Sequence, residues 1–279
     1  MPRYPLRPVE PAVDRRRPHL VDRRRPHLQV WAAANQSPDP MTNDSPSAAP
    51  LPLGAPVDPA PARRPDDRTT LAGRIVTLRP LDPGLDAAPL WEATYGSGKD
   101  HLWAYLFEGP FEDRATFDAH LEGKAASADP FYLAIVDRRS GLAAGHAAYL
   151  RIEPAHRTIE VGSILFGKTL QRTPGATEAM YLLARHVFED LGYRRYEWKC
   201  NALNAPSRRA AERLGFRFEG IFRQHLIVKG RNRDTAWYSM LDAEWPRRKA
   251  AFERWLDPAN FDAAGRQRSA LSALADTAP

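Results

Sequence analysis

Apolar and polar residues alternate along residues 75–81, and Pro80 closes that run as it would a β-strand. Asp82-Pro83-Gly84 then turns the chain, residues 86–95 carry a helical pattern, and Gly96-Ser97-Gly98 ends it. Residues 102–107, with Gly109-Pro110-Phe111, are dense in aromatics and read either as a lid packed on a core or as the wall of a substrate pocket, with Trp103 and Tyr105 as its candidate contacts. Residues 114–126 are helical in pattern. Three strands follow at 131–137, 142–152 and 158–166, joined by Arg138-Arg139-Ser140-Gly141 and Glu153-Pro154-Ala155-His156, which have the residues of tight antiparallel turns.

The strongest helical signal spans 175–191. Ala176, Ala179, Met180, Leu183, Val187 and Leu191 fall on one stripe, and Gly192 stands where a terminating glycine belongs. Tyr196, Trp198 and Cys200 alternate with charged residues, as in a strand with one buried face. A helix over 205–214 stops at Gly215. Residues 216–228 and 233–241 form a hairpin through Lys229-Gly230-Arg231-Asn232, and a last helix opens at Pro246 with Phe252, Trp255 and Leu256 on one face. The order predicts a mixed α/β fold: a mostly antiparallel sheet, helices on both faces, and one right-handed parallel strand-helix-strand unit from 158 to 200.

Two strand-to-helix junctions stand out in this order, at residues 165–176 and 199–207. A helix start presents N–H groups without intrahelical partners and the positive end of the macrodipole, so two in one domain suit one elongated, partly anionic ligand.

Composition divides the chain. Fifteen of its 26 prolines and eleven arginines lie in residues 1–70, which contain no lysine, and such a segment buries too little apolar surface to offset its ordering entropy. The reading is a disordered extension over 1–70, one domain over 71–258, and a flexible, Ala-rich tail over 259–279. Residues 13–28 repeat one octapeptide twice, too few copies for a solenoid. Met41 is an alternative start.

The net charge of +6 fits an anionic ligand without naming one, and a solvated basic surface is preferred to a nucleic-acid role. With Cys200 as the one cysteine, neither an internal disulfide nor a multi-cysteine zinc site is possible, which fits a reducing cytoplasm. No carboxylate and histidine grouping has metal-ligand spacing, so no metal is expected. No run reaches the roughly 20 apolar residues of a membrane span, and there is no secretory h-region.

Three pieces occur in a fixed order: Ala176-Thr177-Glu178-Ala179; Asn204-Ala205-Pro206-Ser207 leading to Leu214-Gly215-Phe216; and Glu219-Gly220 followed by Arg223. With the element order, they make residues 74–245 resemble the GNAT superfamily of acyl-CoA-dependent N-acyltransferases, and in particular its ribosomal-protein N-terminal acetyltransferases. The resemblance implies acetyl-CoA as acyl donor and an amine acceptor, either a small molecule or a protein N-terminus.

It also implies roles for residues. The first junction holds the pyrophosphate, in one register through Gln171, Pro174 and Ala176 and in another through Arg172, Gly175 and Thr177. Proline supplies no N–H, a donor that the charge of Arg172 or Lys168 would offset. Asn204 holds the pantetheine arm and Ser207 is the candidate acid for the departing thiolate, although their spacing also suits an ordinary helix cap. A backbone N–H near Leu165 is placed to stabilise the oxyanion. Glu160 is the candidate base, with a salt-bridged sheet residue as the alternative. His146, His225 and Tyr181 read as structural and Cys200 as a small core residue. A non-catalytic acyl-CoA-binding module and, from the Arg-rich arm, a nucleic-acid-associated protein are the competing readings.

Overall fold

In the computed structural model the described residues are 51–276. The octapeptide repeat, Met41 and the rest of residues 1–50 lie outside them. Eight strands form one sheet: β1 (Leu71–Ala72), β2 (Val76–Pro80), β3 (Phe131–Asp137), β4 (Ala143–Glu153), β5 (Thr158–Phe166), β6 (Arg195–Asn201), β7 (Arg217–Val228) and β8 (Arg231–Leu241). Their order is β1-β2-β3-β4-β5-β6-β8-β7, and every neighbour pair is antiparallel except β5 and β6. The helices are α1 (Pro83–Thr94), α2 (Arg114–Ala125), α3 (Pro174–Arg185), α4 (Ala205–Arg213), α5 (Trp245–Leu256) and α6 (Leu271–Asp276). Among them none is long and apolar enough to cross a membrane.

Period-two alternation sorts the strands onto two faces. Leu133 and Ile135 pack with Ala179, Leu183, Trp245 and Phe252 of α3 and α5, whereas Ala134 packs with Leu90 and Phe117 of α1 and α2. Helices therefore cover both faces, as the sequence pattern predicts. Asp82 and Asp113 cap α1 and α2 by accepting from the backbone N–H of Gly84 (2.9 Å) and Thr116 (2.8 Å). α3 continues as a π-helical turn over His186–Asp190 and stops before Gly192, whose φ is +79°.

Three features differ from the sequence reading. The hairpin between β7 and β8 turns on two residues, Lys229 and Gly230, because both take positive φ (+50° and +71°), the combination that matches strand twist in a two-residue loop. The segment before residue 71, expected to be disordered throughout, is docked in part. Ala62 N–H donates to Pro154 O (3.0 Å), Arg63 N–H to Leu191 O (2.8 Å), and the Arg64 guanidinium to Ile152 O (3.1 Å). The tail, expected to be flexible, is held by burial of Leu271, Leu274 and Ala275 against the core of α5. Trp255 Nε1 donating to Gln267 Oε1 (2.8 Å) and Arg247 Nε donating to Ala275 O (2.7 Å) fasten it.

Candidate active site

The centre of the sheet is split. β5 and β6 are in register only from Thr158 opposite Arg195 to Val161 opposite Trp198. Beyond that, residues 162–166 and 199–201 have no cross-strand partners in the pair, and a V-shaped opening results. A bulge accompanies the split: β4 advances from His146 to Ala148 while β5 runs from Leu165 back to Gly162, one residue more. Ser163 takes a φ of +46° there. The extra residue reverses the alternation, so that Ile159 and Val161 point into the α3 core while Leu165 joins the core under α1 and α2. Gly145 on β4 lets the bulged strand approach, since a Cβ there would lie 2.5 Å from Leu165 O.

Each arm of the V ends in a helix start. On the β5 side, Gln171 Nε2 donates to Phe166 O (2.8 Å), Arg172 turns the loop with a φ of +57°, and Thr173 Oγ1 caps α3 by accepting from Ala176 N–H (3.3 Å). Pro174 occupies the first helical position, where an N–H has no intrahelical partner in any case. The N–H groups of Arg172 and Gly175 make no hydrogen bond among the described residues. Gly175 lies against β2, where a Cβ would come within 3.2 Å of Ile75 and Val76. Thr177 Oγ1 accepts from Arg213 NH1 (3.2 Å), so α4 reaches across to α3. The loop thus keeps a shape that offers amides to an anion, despite the proline.

On the β6 side, Asn204 Oδ1 accepts from Ser207 N–H (3.1 Å) and caps α4. Ser207 Oγ accepts from Trp198 Nε1 (3.0 Å), so its hydroxyl proton serves as a donor, with the Cys200 sulfur beside it. Cys200 is buried, and that burial pushes its thiol upward, more than the nearby Ser207 hydroxyl lowers it. It has the character of a core residue and not of a nucleophile.

The face of the V opposite α3 carries a ladder of charges. Glu160 Oε2 binds Arg151 NH2 (2.6 Å) and Lys199 Nζ (2.9 Å), Lys199 also binds Glu197 (2.6 Å), and Arg195 joins Glu197 (2.7 Å) to Glu219 (2.5 Å). Burial raises the Glu197 carboxyl, but its bonds to Lys199 and Arg195 outweigh this and hold it below the usual carboxylate range. Glu160 is thus salt-bridged, the alternative its sequence position allowed, while Oε1 takes no hydrogen bond among the described residues. Lys199 Nζ also sits 3.8 Å from the centre of the Trp237 ring.

The aromatic segment closes this face. Trp103, a candidate substrate contact by sequence, is instead a core residue: its ring is buried against Phe111 and Phe117, with Nε1 donating to Thr94 O (3.1 Å). An indole with a satisfied N–H is more stable inside than on a pocket wall. Tyr105 and Phe107 are the exposed aromatics of the segment, and Tyr105 hydroxyl donates to Leu203 O (3.3 Å) beside the start of α4. Lys229 at the hairpin tip donates to Trp103 O (2.9 Å) and Glu108 O (2.8 Å), fastening segment and hairpin together.

The structure therefore brings Glu160, Leu165, the 171–177 loop, Asn204 and Ser207 around one opening. Sequence reasoning missed Arg151, Lys199 and Arg233 on the same face. The available signal for Lys199 was its place after Arg195 and Glu197 on the charged face of the alternating 195–200 strand.

The chain is similar to several known proteins. Residues 76–217 match the family model described as an acetyltransferase (GNAT) domain. A solved GCN5-related N-acetyltransferase from Brucella melitensis is 49% identical over 78% of this chain and 98% of its own, with a TM-score of 0.76. The uncharacterized N-acetyltransferase YnaD of Bacillus subtilis is 30% identical over 159 residues, 56% of this chain and 89% of its own length. A second Bacillus subtilis protein, provisionally named a ribosomal N-acetyltransferase (YdaF), is 30% identical over 109 residues, which are 39% of this chain and 59% of its own.

Proposed function

Since the chain belongs to the GNAT acetyltransferase family, we propose that it transfers the acetyl group of acetyl-CoA to a primary amine by direct attack within a ternary complex. The single observation that carries this reading is the split between β5 and β6, bulged at Ser163 and bounded by two helix starts. An extended thioester arm lying in the split replaces the missing cross-strand bonds. The unpaired N–H groups of Arg172 and Gly175 hold the pyrophosphate, and the Asn204 side-chain amide, whose oxygen is occupied by its cap, donates to the pantetheine arm.

The amine must be neutral to attack, yet an α-amino group ionises with a pKa of about 7.7–8.0. Glu160 takes its proton through the free Oε1, directly or through a water, while Arg151 and Lys199 fix the carboxylate through Oε2. The amine nitrogen bonds to the thioester carbonyl carbon, and the oxyanion is stabilised by a backbone N–H next to Leu165, that of Phe166 on the open edge of β5, since the N–H of Leu165 itself lies in the ladder with β4. The carbon–sulfur bond then breaks, the thiolate receives the Ser207 hydroxyl proton, and the proton that leaves the former amine nitrogen returns to the serine oxygen, directly or through a water. A protein N-terminus is the favoured acceptor on the resemblance to ribosomal-protein acetyltransferases and on the provisional name of YdaF.

A thermal-shift titration with acetyl-CoA tests the reading, because a ligand held only by the folded state at about 100 times its Kd stabilises it by about 2.7 kcal/mol. A rise in melting temperature, with mass gain of 42 Da (roughly one acetyl group, conserved by the bond changes above) on an amine substrate, is expected. No shift at millimolar acetyl-CoA refutes it.

A further inference from the structure

Strand β8 alternates. Ala236, Tyr238 and Met240 enter the core beneath α3, while Arg233, Thr235, Trp237 and Ser239 face the side that carries Glu160 and Lys199. On that face the ion ladder closes upon itself, since the three carboxylates Glu160, Glu197 and Glu219 are matched by the three cations Arg151, Lys199 and Arg195. Arg233 is left over. Among the described residues it makes no salt bridge, and its sequence neighbour Asp234 is engaged elsewhere, accepting from Gln224 N–H (2.7 Å) and Asn232 Nδ2 (3.0 Å).

This surplus cation is also largely dry. Arg233 is 7% exposed, its Nε is buried with no hydrogen-bond partner among the described residues, and its guanidinium lies 4.8 Å from the centre of the Phe107 ring. Burial is the first cause that lowers its ionisation below the ordinary arginine value. The Glu160 carboxylate acts on it from beyond ion-pair distance and is already bound by Arg151 and Lys199, so the buried charge has no counter-ion in contact among the described residues, which is costly, and one aromatic face recovers only part of the lost hydration. A planar guanidinium with free N–H donors is matched in shape by a carboxylate or a phosphate.

The location connects this vacancy of charge to the reaction. Thr235 lies opposite Asn201, and Ala202 N–H donates to Asp234 O (2.8 Å), so the Arg233 end of β8 is tied to the turn that starts α4. Tyr105 hydroxyl reaches Leu203 O over the same corner. A group bound at Arg233 thus stands beside the open end of the V, on the side of Glu160.

We propose that the acceptor amine carries an anionic oxyacid group, carboxylate or phosphate, that pairs with Arg233 and so presents the amino group to the thioester. The inference rests on the acetyl-transfer reading and specifies its acceptor. Amines without an anionic group leave the guanidinium unpaired and are discriminated against by that loss.

The test measures binding by calorimetry to the full chain in the presence of CoA, using three matched pairs: L-serine and L-serinamide, phosphoethanolamine and ethanolamine, and the peptide amides Asp-Ala-Ala and Asn-Ala-Ala. At least one anionic member is expected to bind about ten- to a hundredfold more tightly than its neutral partner, the range for charge-assisted hydrogen bonds. In Arg233→Gln that preference falls to about twofold or less, and Arg233→Lys, which keeps the charge without the fork, retains an intermediate preference. The pair that responds distinguishes an α-carboxylate, a phosphate and an acidic N-terminus. Equal binding in all three pairs overturns the proposal, as does a preference that survives Arg233→Gln or a loss of acetyl-CoA affinity in that variant. An absent thermal shift with acetyl-CoA in the wild type refutes acetyl transfer instead, while the pair comparison still reads Arg233.

Discussion

Glu178 should be among the most sensitive positions in the chain, although it touches no reacting group. Its carboxylate is buried one turn after the α3 start and accepts from three backbone N–H groups at the head of β2: Arg74 at 2.9 Å, Ile75 at 2.6 Å and Val76 at 2.8 Å. Gly73 makes room for it, since a Cβ there would lie 2.5 Å from Glu178 Oε2. In Glu178→Ala all three donors lose their acceptor. Hydrogen bonds to a charged group contribute about 1.5–3 kcal/mol each, but neighbouring losses do not add fully and the Arg74 amide is part-exposed. The expected destabilisation is about 3–5 kcal/mol, a drop of about 10 °C in melting temperature for a domain of this size. Glu178→Gln removes the charge and turns an NH2 toward N–H groups, so it should recover only a minor part. Chemical denaturation of both variants measures this. A cost of less than about 1 kcal/mol for Glu178→Ala would refute the claim that this side chain fastens β2 to the helix that follows the 171–177 loop.

Other outcomes follow from the same contacts. Ser207→Ala should destabilise by about 1–2 kcal/mol, since Trp198 Nε1 loses its acceptor. It should also lower kcat by about ten- to a hundredfold with acetyl-CoA affinity retained, and an unchanged kcat would remove Ser207 as the acid. Burial first, and the Lys124 charge second, hold the His146 imidazole well below 6.5. The folded state keeps this ring neutral while the unfolded chain binds a proton, so stability falls as pH drops below 6.5, by up to about 1.4 kcal/mol per pH unit. His146→Gln should flatten that part of the urea-stability profile, and superimposable profiles would contradict it. Lys229→Ala, which frees the hairpin from the carbonyls of Trp103 and Glu108, should raise acceptor KM severalfold without changing the acetyl-CoA thermal shift.

Much of this architecture is legible in the chain because its signals are local. The stripe from Ala176 to Val187, the Asn204 to Ser207 spacing and the alternation of 195–200 each depend on neighbours in sequence, and strands and helices stand where those patterns put them. What escaped depends on distant partners. The α6 segment has only Leu271, Leu274 and Ala275 to bury, too little for a helix on its own, and its order comes from the surface of α5. Arg195 meets Glu219 across β8 because a bulge between Phe218 and Gly220 shifts β7, an offset with no strong signature beyond Gly220 itself. Arg233 resembles any other arginine of the hairpin until the ladder beside it is seen to be complete.

The four-residue parallel seam has a further consequence for how the sheet keeps to itself. Sheets ordinarily expose bare backbone at two outer margins, where aggregation begins. Here two more margins, the ends of β5 and β6, lie in the middle of the sheet, and the proposed ligand site doubles as a place where a foreign strand would fit. The β5 bulge breaks the regular hydrogen-bond spacing such a strand would need, and the starts of α3 and α4 stand at the two ends of the gap. The same irregularities that shape the opening thus make it a poor template for a regular edge-to-edge strand.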